Sequence, residues 1–372
     1  MNRDVSLIKT IMIKVGSSSL CNDDGQLNKE KILNLVLQIS KLKKLGYTVV
    51  LVSSGAIAAG MGLLKLDSKP TTIPKKQALA AIGQAHLMQI YEEIFALFQL
   101  KCAQVLLNHG DFDDRKRLMN LCNTIHALID YDVIPIINEN DALAVDEIKV
   151  GDNDTLAALM VPVVDADLLV LVSDIDGLYD KNPKVYEDAV LLDFIEEVNE
   201  KIENMAGGSS TNLGTGGMST KIKAAKIVTD YGKSLVIVNG GKEDFLINIF
   251  NEKENGTWFN AKKNSLKARE HWLAYRTTTK GKIIVDEGAK DALEINRKSL
   301  LPKGIIGVEG NFLMGQVVSI ESTNHVIGKG IVNYSSDEIR LIMGLNSNKI
   351  EDILHYKDYD EVIHANNMVL KR

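Results

Sequence analysis

The sequence predicts an α/β protein, with an open, mostly parallel sheet sandwiched by helices and a small, mostly β domain after it. Up to Trp258, β-branched apolar runs alternate with amphipathic helical patterns, the order expected of a parallel sheet covered on both faces. Runs such as residues 47–52 are apolar on both faces, as buried parallel strands are. Beyond about residue 270 the pattern changes to short β-like pieces between glycines, which marks a second domain.

Each element of the first domain has a local signal. Residues 29–45 predict a helix because Ile32, Leu35 and Ile39 lie on one apolar stripe, and Gly46 stands where a helix often ends. Further helices are predicted at residues 73–100, 115–130, 154–161 and 219–231. Strands are predicted at residues 8–15, 47–52, 103–107, 133–137, 167–172 and 235–238. Ligands of such sheets bind outside the carboxyl ends of the strands, so the residues after each strand are candidates for a site.

The length of the chain, 372 residues, allows two domains, each with its own core. The predicted limits are 1–260 for the α/β domain, 261–270 for a polar and basic linker, and 271–372 for the β domain. In the β domain, the short β-like pieces are residues 282–285, 304–308, 315–320 and 325–332.

Composition places the chain among ordinary globular proteins. Its apolar and charged fractions are 45% and 25%, which excludes the disordered and membrane classes. A net charge of −6 argues against nucleic acid as the dominant partner. Cys21, Cys102 and Cys122 lack metal-type spacing and indicate buried thiols in a reducing compartment. The sequence shows neither a signal peptide nor an apolar run near the roughly 20 residues of a membrane helix, so we expect a cytoplasmic protein without membrane association.

Residues 214–221, Gly-Thr-Gly-Gly-Met-Ser-Thr-Lys, lead into the last predicted helix of the first domain. Their glycines allow the backbone to approach an anion closely, and a helix N-terminus offers unpaired N–H groups that suit phosphate. Lys221 adds a positive charge. The segment does not end in the Gly-Lys-Ser/Thr of a Walker A loop. It also does not follow the first strand directly, as the glycines of a Rossmann turn do. It either binds phosphate or is a flexible surface loop before an ordinary helix.

Small and polar residues also follow the first two strands. Lys14, Gly16 and the serines at 17–19 predict either a phosphate cradle or simply a polar loop. Residues 53–60, Ser-Ser-Gly-Ala-Ile-Ala-Ala-Gly, either let a ligand reach backbone N–H groups or serve tight packing of a helix on the sheet.

Two polar clusters within fifteen residues point to an amino acid ligand. Residues 138–141, Asn-Glu-Asn-Asp, follow an apolar strand, and residues 151–155, Gly-Asp-Asn-Asp-Thr, open a helix. Helix capping explains Asp152 or Asn153 but not both clusters. Carboxylates suit the ammonium group of a small zwitterion, and amides suit its carboxylate. Residues 173–179, Ser-Asp-Ile-Asp-Gly-Leu-Tyr, follow another strand and either contact a nucleotide or form an Asp-Gly turn.

Together these segments resemble the amino acid kinase superfamily. The motifs that carry the resemblance are residues 14–19, 52–60, 137–141, 148–154, 173–179 and 214–221. Where the family often has Thr, this chain has Ser17, Ser53 and Ser173, which keep the hydroxyl. The second domain resembles a PUA domain at residues 285–289, Val-Asp-Glu-Gly-Ala, and 299–305, Ser-Leu-Leu-Pro-Lys-Gly-Ile. Six motifs in the family's order, over nearly the whole chain, are far more specific than any one of them.

Within the superfamily, the resemblance is to the kinases that transfer the γ-phosphoryl group of ATP to the side-chain carboxylate of L-glutamate. That reaction forms glutamyl 5-phosphate, the first step of proline biosynthesis. The carboxylate is already ionised at neutral pH, so no general base is needed. The resemblance implies that Lys14 and Lys221 place positive charge around the transferring group and that Asp154 orients both lysines.

The resemblance also assigns ligand contacts. Glutamate would be bound by Ser54, Asp141 and Asn153. ATP would be bound by Lys14, Ser173, Asp174, Thr215, Gly216, Gly217, Met218, Ser219, Thr220 and Lys221. Mg²⁺ would bridge the phosphates, and no protein ligand of the metal is identified.

The resemblance further implies feedback inhibition by proline and a homo-oligomer, either a dimer or a tetramer. One alternative is a related kinase that acts on another small carboxylate or on carbamate. The alternative of a different class is an RNA-binding protein, because PUA domains bind RNA in modification enzymes. Residues 270–372 hold 13 Lys and Arg against 14 Asp and Glu, which argues against a basic RNA-binding surface. Residues 262–303 alone, however, hold 11 basic and 5 acidic residues.

Overall fold

The computed structural model describes residues 3–22, 26–108, 110–143, 152–183, 185–207, 217–251, 256–263, 265, 268–322 and 325–370. The chain divides into two compact units, Met1–Ser265 and Leu266–Arg372, and each unit has its own apolar core. The division falls inside the segment expected to be a linker, whose bounds stay a prediction.

The first unit is built on an eight-stranded sheet in its described part. The strands are β1 Thr10–Val15, β2 Thr48–Val52, β3 Lys101–Leu107, β4 Val133–Glu139, β5 Leu168–Ser173, β6 Phe194–Ile195, β7 Ser234–Asn239 and β8 Thr257–Phe259. Their order across the sheet is β3–β4–β2–β1–β5–β7–β8–β6. Every neighbouring pair is parallel except β7 with β8, which is antiparallel.

Helices join the strands of this sheet. Within the described residues they are α1 Ser17–Leu20, α2 Lys29–Lys44, α3 Ala56–Leu63, α4 Ile73–Leu97, α5 Gly110–Asp113, α6 Arg115–Asp130, α7 Asn153–Met160, α8 Glu200–Gly207 and α9 Met218–Asp230. The helices and strands that the sequence predicts in this unit are all present, with ends that differ by three residues or fewer.

The two faces of the sheet carry different helices. Ile11, Ile13 and Val15 of β1 share one apolar cluster with α2 and α4. Because side chains alternate along a strand, Met12 and Lys14 point to the opposite face, where α7 contacts β1 and α9 packs on α7. This alternation brings the charged side chain of Lys14 to the helices α7 and α9.

Helices α3 and α4 pack unusually close together. A Cβ on Gly83 would lie 1.8 Å from the carbonyl oxygen of Ala56, and one on Gly60 would lie 2.2 Å from that of Leu79. Gly55, immediately before α3, has a φ of +100°, a conformation that glycine adopts without strain. The small residues at 53–60 therefore allow two helices to approach closely, and they also set where α3 begins.

The second unit holds a five-stranded sheet in its described part. Its strands are β9 Gly281–Val285, β10 Ile305–Gly310, β11 Val317–Ser322, β12 His325–Ile331 and β13 Met368–Leu370, in the order β10–β9–β11–β12–β13. Its helices are α10 Ala268–His271, α11 Glu287–Glu294, α12 Ser336–Ile342 and α13 Ile350–Leu354. The predicted fold class, a mostly parallel α/β domain followed by a β-rich domain, is confirmed.

None of the helices in the described ranges combines the length and the apolar character that crossing a bilayer requires.

Candidate active site

The carboxyl ends of the central parallel strands bring the predicted residues together. Lys14 of β1 lies opposite Val52 of β2 on one side and Leu171 of β5 on the other. Ser53 and Ser54 therefore leave the sheet on one side of Lys14, and Ser173 ends β5 on the other side. On the far side of β2 lies β4, in which Ile137 pairs with Val52. The end of β4 therefore lies at the same edge of the sheet as the end of β2.

A buried carboxylate, Asp154, lies at the centre of this edge. Its Oδ1 is 2.6 Å from Nζ of Lys14, and its Oδ2 is 3.1 Å from Nζ of Lys221. The Thr220 hydroxyl donates to the same Oδ2 at 2.9 Å. Asp154 has no exposed surface, and each lysine side chain is 7% exposed. Two ammonium groups and one carboxylate thus form a buried cluster with one net positive charge, which we call the Asp154 cluster.

The ionisation of Asp154 follows from these neighbours. Burial opposes the charged form, but the charges of Lys14 and Lys221 and the hydrogen bonds from Lys14 and Thr220 outweigh it. The pKa of Asp154 therefore lies below its usual value. A carboxylate with a lowered pKa is a poor proton acceptor at neutral pH, so Asp154 is suited to hold the two ammonium groups in place.

Asp152, two residues earlier, shows the opposite behaviour. Burial raises the pKa of its carboxyl, and its hydrogen bonds with Thr155 only partly offset that effect. The carboxyl accepts from the N–H of Thr155 at 2.7 Å, as the N-cap of α7. The capping explanation therefore holds for Asp152, and Asn153 and Asp154 occupy the first turn of the helix that it caps.

The N-terminus of α9 supplies the other half of the cluster. Gly217 is its N-cap residue, with extended backbone, and has no side chain to occupy the first-turn N–H groups, which suit an anion. The Thr220 hydroxyl also lies 2.8 Å from the Gly217 carbonyl, so its one proton is shared between that carbonyl and Asp154, which ties this turn to Asp154. Met218 and Ser219 lie in the same turn. Thr215 and Gly216 lie outside the described residues, so their part in a phosphate loop stays a prediction.

The end of β5 is tied to the end of β7. The Ser173 hydroxyl donates to Asp174 Oδ1 at 3.2 Å, and the Ser173 carbonyl accepts from the N–H of Gly240 at 2.9 Å. Asp176 accepts from Asn239 at 2.9 Å and pairs with Lys242 at 2.8 Å. The segment that begins with Ser173 is thus held beside β1 and Lys14 at the same sheet edge.

The predicted substrate residues Ser54 and Asn153 contact each other directly. Asn153 Nδ2 lies 2.7 Å from Ser54 Oγ, 2.9 Å from the Ser53 carbonyl and 3.1 Å from Asn138 Oδ1. Asn153 thereby connects α7 with the ends of β2 and β4. Because Asn153 is the neighbour of Asp154 in the chain, this polar contact and the Asp154 cluster share one helix turn.

Two residues of this network, Asn138 and Gln84, have no assigned role in the sequence prediction. Asn138 Nδ2 donates to Gln84 Oε1 at 2.9 Å. Asn138 stands within a polar cluster that the sequence does mark. Gln84 lies 54 positions earlier in the middle of α4, and nothing in the local pattern of that helix distinguishes it.

A cavity of about 220 Å³ opens beside this network. Its wall is formed by residues of α3, α4, β3 and the end of β4, with the turn that follows: Ala56, Ala80, Ala81, Gln84, Ala85, Gln104, Leu106, Glu139, Asn140, Asp141 and Ala142. Of the three predicted substrate residues, Asp141 lines the cavity, whereas Ser54 and Asn153 are joined to its wall through Asn138 and Gln84.

The described residues thus combine buried positive charge, a helix N-terminus without a side-chain cap and a cavity joined to them by hydrogen bonds, an arrangement suited to phosphoryl transfer. The sequence profile of the amino acid kinase family matches residues 9–239, and that of the PUA domain matches residues 281–354. The chain belongs to the amino acid kinase family and carries a PUA domain.

Within that family the chain belongs with the glutamate 5-kinases. The glutamate 5-kinase of Caldanaerobacter subterraneus subsp. tengcongensis is 48% identical over 361 residues, which are 97% of each chain. That of Carboxydothermus hydrogenoformans is 47% identical over 98% of each chain. Among solved structures, a carbamate kinase from Giardia lamblia bound to AMP-PNP has a TM-score of 0.52 at 17% identity. The match covers 69% of this chain and 99% of the carbamate kinase chain. This likeness shows a shared fold alone.

Proposed function

We propose that the chain transfers the γ-phosphoryl group of ATP to the side-chain carboxylate of L-glutamate, the first step of proline biosynthesis. The observation that carries the proposal is the Asp154 cluster beside a cavity with carboxylates in its wall. The names of the relatives that are nearly half identical over almost the whole chain support glutamate as the acceptor.

In the proposed reaction, an oxygen of the glutamate side-chain carboxylate attacks the γ-phosphorus. The new O–P bond forms as the bond from the γ-phosphorus to the β,γ-bridging oxygen breaks, and the electron pair leaves on ADP. Lys14 and Lys221 stabilise negative charge on the transferring group, which is the main task of such a site. Asp154 fixes the two ammonium groups, one at each oxygen, so that little reorganisation is required during the reaction.

ATP would lie at the N-terminus of α9 and the end of β5. We assign its contacts to Lys14, Ser173, Asp174, Thr215, Gly216, Gly217, Met218, Ser219, Thr220 and Lys221. Across the described ranges, no group of three or more His, Cys, Asp or Glu residues could hold a metal ion. Mg²⁺ is commonly bound through substrate phosphates and water. The residues assigned to ATP would therefore accept a Mg²⁺ that enters with ATP and neutralises phosphate charge.

Glutamate would be bound by Ser54, Asp141 and Asn153, with Asp141 facing its ammonium group. Proline shares the α-carboxylate and the amine of glutamate, so we propose that it inhibits by occupying the same cavity. Excess glutamate should then relieve the inhibition, and full inhibition at saturating glutamate would place the proline site elsewhere.

We also propose a dimer or tetramer and a cytoplasmic location. The cysteines, all free thiols, support the reducing compartment. RNA binding by the PUA domain is the competing proposal for the second unit, and a salt-sensitive RNA shift would favour it.

The test of the function is a trapping assay. With Mg-ATP and L-glutamate we expect release of ADP and, when hydroxylamine is present, glutamyl hydroxamate from the acyl phosphate. N-acetylglutamate, aspartate, carbamate and UMP serve as alternative acceptors in the same assay. Release of ADP without hydroxamate would mean hydrolysis or another acceptor, and the proposal would fail.

A further inference from the structure

The amide side chains of Gln84, Asn138 and Asn153 form one hydrogen-bonded chain whose orientation is set by backbone groups. Asn138 Oδ1 accepts from the N–H of Glu139 at 2.9 Å, and a backbone N–H can only donate. Asn138 must therefore offer Nδ2 to Gln84, whose Oε1 accepts at 2.9 Å. At the other end, Asn153 Nδ2 donates to the Ser53 carbonyl at 2.9 Å, which can only accept.

This orientation leaves the amide nitrogen of Gln84 as a donor at the cavity. Gln84 is only 9% exposed and lines the cavity wall. Its Oε1 is used by Asn138, and within the part of the chain that the structure describes its Nε2 makes no hydrogen bond. Because Gln84 lines the cavity, this donor is open to an acceptor atom of a ligand bound there.

The charge of the cavity wall indicates which acceptor that is. Among the described residues, the wall holds the carboxylates of Glu139 and Asp141 and no Lys, Arg or His. The carboxylates suit the ammonium group of an amino acid, but they repel its α-carboxylate. Because the described part of the wall has no cationic side chain, a neutral donor with fixed orientation suits the α-carboxylate. Gln84 provides one from α4, whereas Gln104 is exposed on the edge strand β3.

We propose that Gln84 binds the α-carboxylate of the acceptor through Nε2 and thereby selects amino acids that carry a free α-carboxylate. The inference rests on the proposed function, because it assumes that an amino acid is the acceptor. Through Asn138 and Asn153, the same hydrogen-bonded chain joins this contact to the helix turn that holds Asp154.

The test is Gln84→Glu, which keeps an oxygen for Asn138 and replaces only the donor with an anion. Acceptors are compared by the yield of hydroxamate. They are L-glutamate, L-isoglutamine, in which the α-carboxylate is an amide, and 4-aminobutyrate, which lacks it. We expect kcat/KM for glutamate to fall at least about tenfold, mostly through KM, since a hydrogen bond to a charged group is lost. The kcat/KM for isoglutamine and for 4-aminobutyrate should stay the same or rise, and the KM for ATP should not change.

Gln104→Glu is the matched control, because it adds the same charge to the same wall at an exposed position. This control should change the ratio of kcat/KM for glutamate to kcat/KM for isoglutamine much less than Gln84→Glu does. If Gln84→Glu does not fold, Gln84→Met removes the donor without adding charge and should lower the same ratio. An unchanged ratio in a folded Gln84 variant overturns the inference. Wild-type protein that forms no glutamyl hydroxamate overturns the proposed function instead, so the two failures are distinguishable.

Discussion

At the scale of single residues, one carboxylate organises the proposed phosphoryl-transfer site. Asp154 is in contact with both Lys14 and Lys221, which reach it from β1 and from α9. A buried ammonium group without a counter-charge costs several kcal/mol, so the position of each lysine depends on Asp154. The positive charge is consequently in place before any phosphate binds.

Removing either lysine should affect the chemical step more than binding of the acceptor. For Lys14→Ala and Lys221→Ala we expect kcat to fall about 10²–10³-fold, the usual cost of one preorganised electrostatic contact. The KM for glutamate should change far less, because the charge matters most in the transition state. Initial rates of hydroxamate formation measure both. Lys223→Ala is the control, because Lys223 is an exposed lysine of α9, the helix that carries Lys221. A near-normal kcat in either test variant would refute the role of the lysine that it lacks.

The lowered pKa of Asp154 makes its contribution to stability depend on pH. Asp154→Asn should reduce the free energy of unfolding by about 3–5 kcal/mol at neutral pH, because two buried ammonium groups lose their partner. When folding lowers the pKa of a carboxyl, its stabilising effect is complete above the pKa of the unfolded state, about 3.9 for Asp. The effect is lost as the pH falls through the pKa of the folded state. The difference from wild type should therefore be constant above about pH 5 and shrink below about pH 4.

Urea unfolding between neutral and acidic pH would measure this difference. Asp132→Asn is the matched control, since Asp132 is 77% exposed and pairs with Lys43, and such surface pairs are worth about 1 kcal/mol or less. A deficit for Asp154→Asn that stayed constant down to the lowest pH would contradict the role of the carboxylate charge.

At the scale of elements, the position of the acceptor cavity depends on how α3 and α4 pack. Gly83 of α4 lies against the backbone of α3, and Ala56, the first residue of α3, lines the cavity. A change in the separation of the two helices would therefore reach the proposed glutamate site directly, whereas none of the three charged residues of the Asp154 cluster lies on α3 or α4.

Gly83→Ala tests this dependence. Its Cβ would lie 1.8 Å from the Ala56 carbonyl oxygen, so α3 must shift, at a cost of about 1–3 kcal/mol. We expect a higher KM for glutamate with little change in the KM for ATP. In Gly62→Ala, on α3 itself, the nearest atom is Gln26 Cγ at 4.0 Å, and the change should be neutral or stabilise by up to about 1 kcal/mol. Equal losses for both substrates would mean general damage to the fold.

The elements also show what the sequence can predict. Strands such as β2 and β5 are evident because their residues are apolar on both faces. β4 runs two residues past its predicted end, because Asn138 and Glu139 are polar yet buried. The helices α11 and α12 of the second unit were not predicted, since each spans two turns or so, although Asp286 and Ser335 cap them with typical side-chain hydrogen bonds.

The same limits apply to the site. Lys14, Asp154 and Lys221 could be proposed from the sequence because each stands in a motif at a strand or helix end, and the structure brings their side chains into contact. The role that we propose for Gln84 could not, because it depends on Asn138, 54 positions away, and on a cavity that exists only once α3, α4, β3 and β4 have come together. Local sequence carries no signal of such a contact.

At the scale of the whole molecule, the two units have separate cores, and every residue proposed for the reaction lies in the first, Met1–Ser265. A chain that ends at Ser265 should therefore fold and form glutamyl hydroxamate with near-normal kcat. Inhibition by proline should also persist, because we place it in the glutamate cavity. A folded but inactive fragment would show that the second unit is required for the reaction, and lost proline sensitivity with unchanged glutamate kinetics would assign regulation to it.

The order of strands also bears on how such enzymes change their substrates. The Asp154 cluster lies at β1, in the middle of the sheet, whereas Gln104 in the cavity wall belongs to β3 at its rim. Substitutions on the edge strand β3 should therefore be able to alter the cavity wall while the residues that we propose for ATP stay unchanged. Libraries for new acceptors are best confined to β3, α4 and the turn after β4.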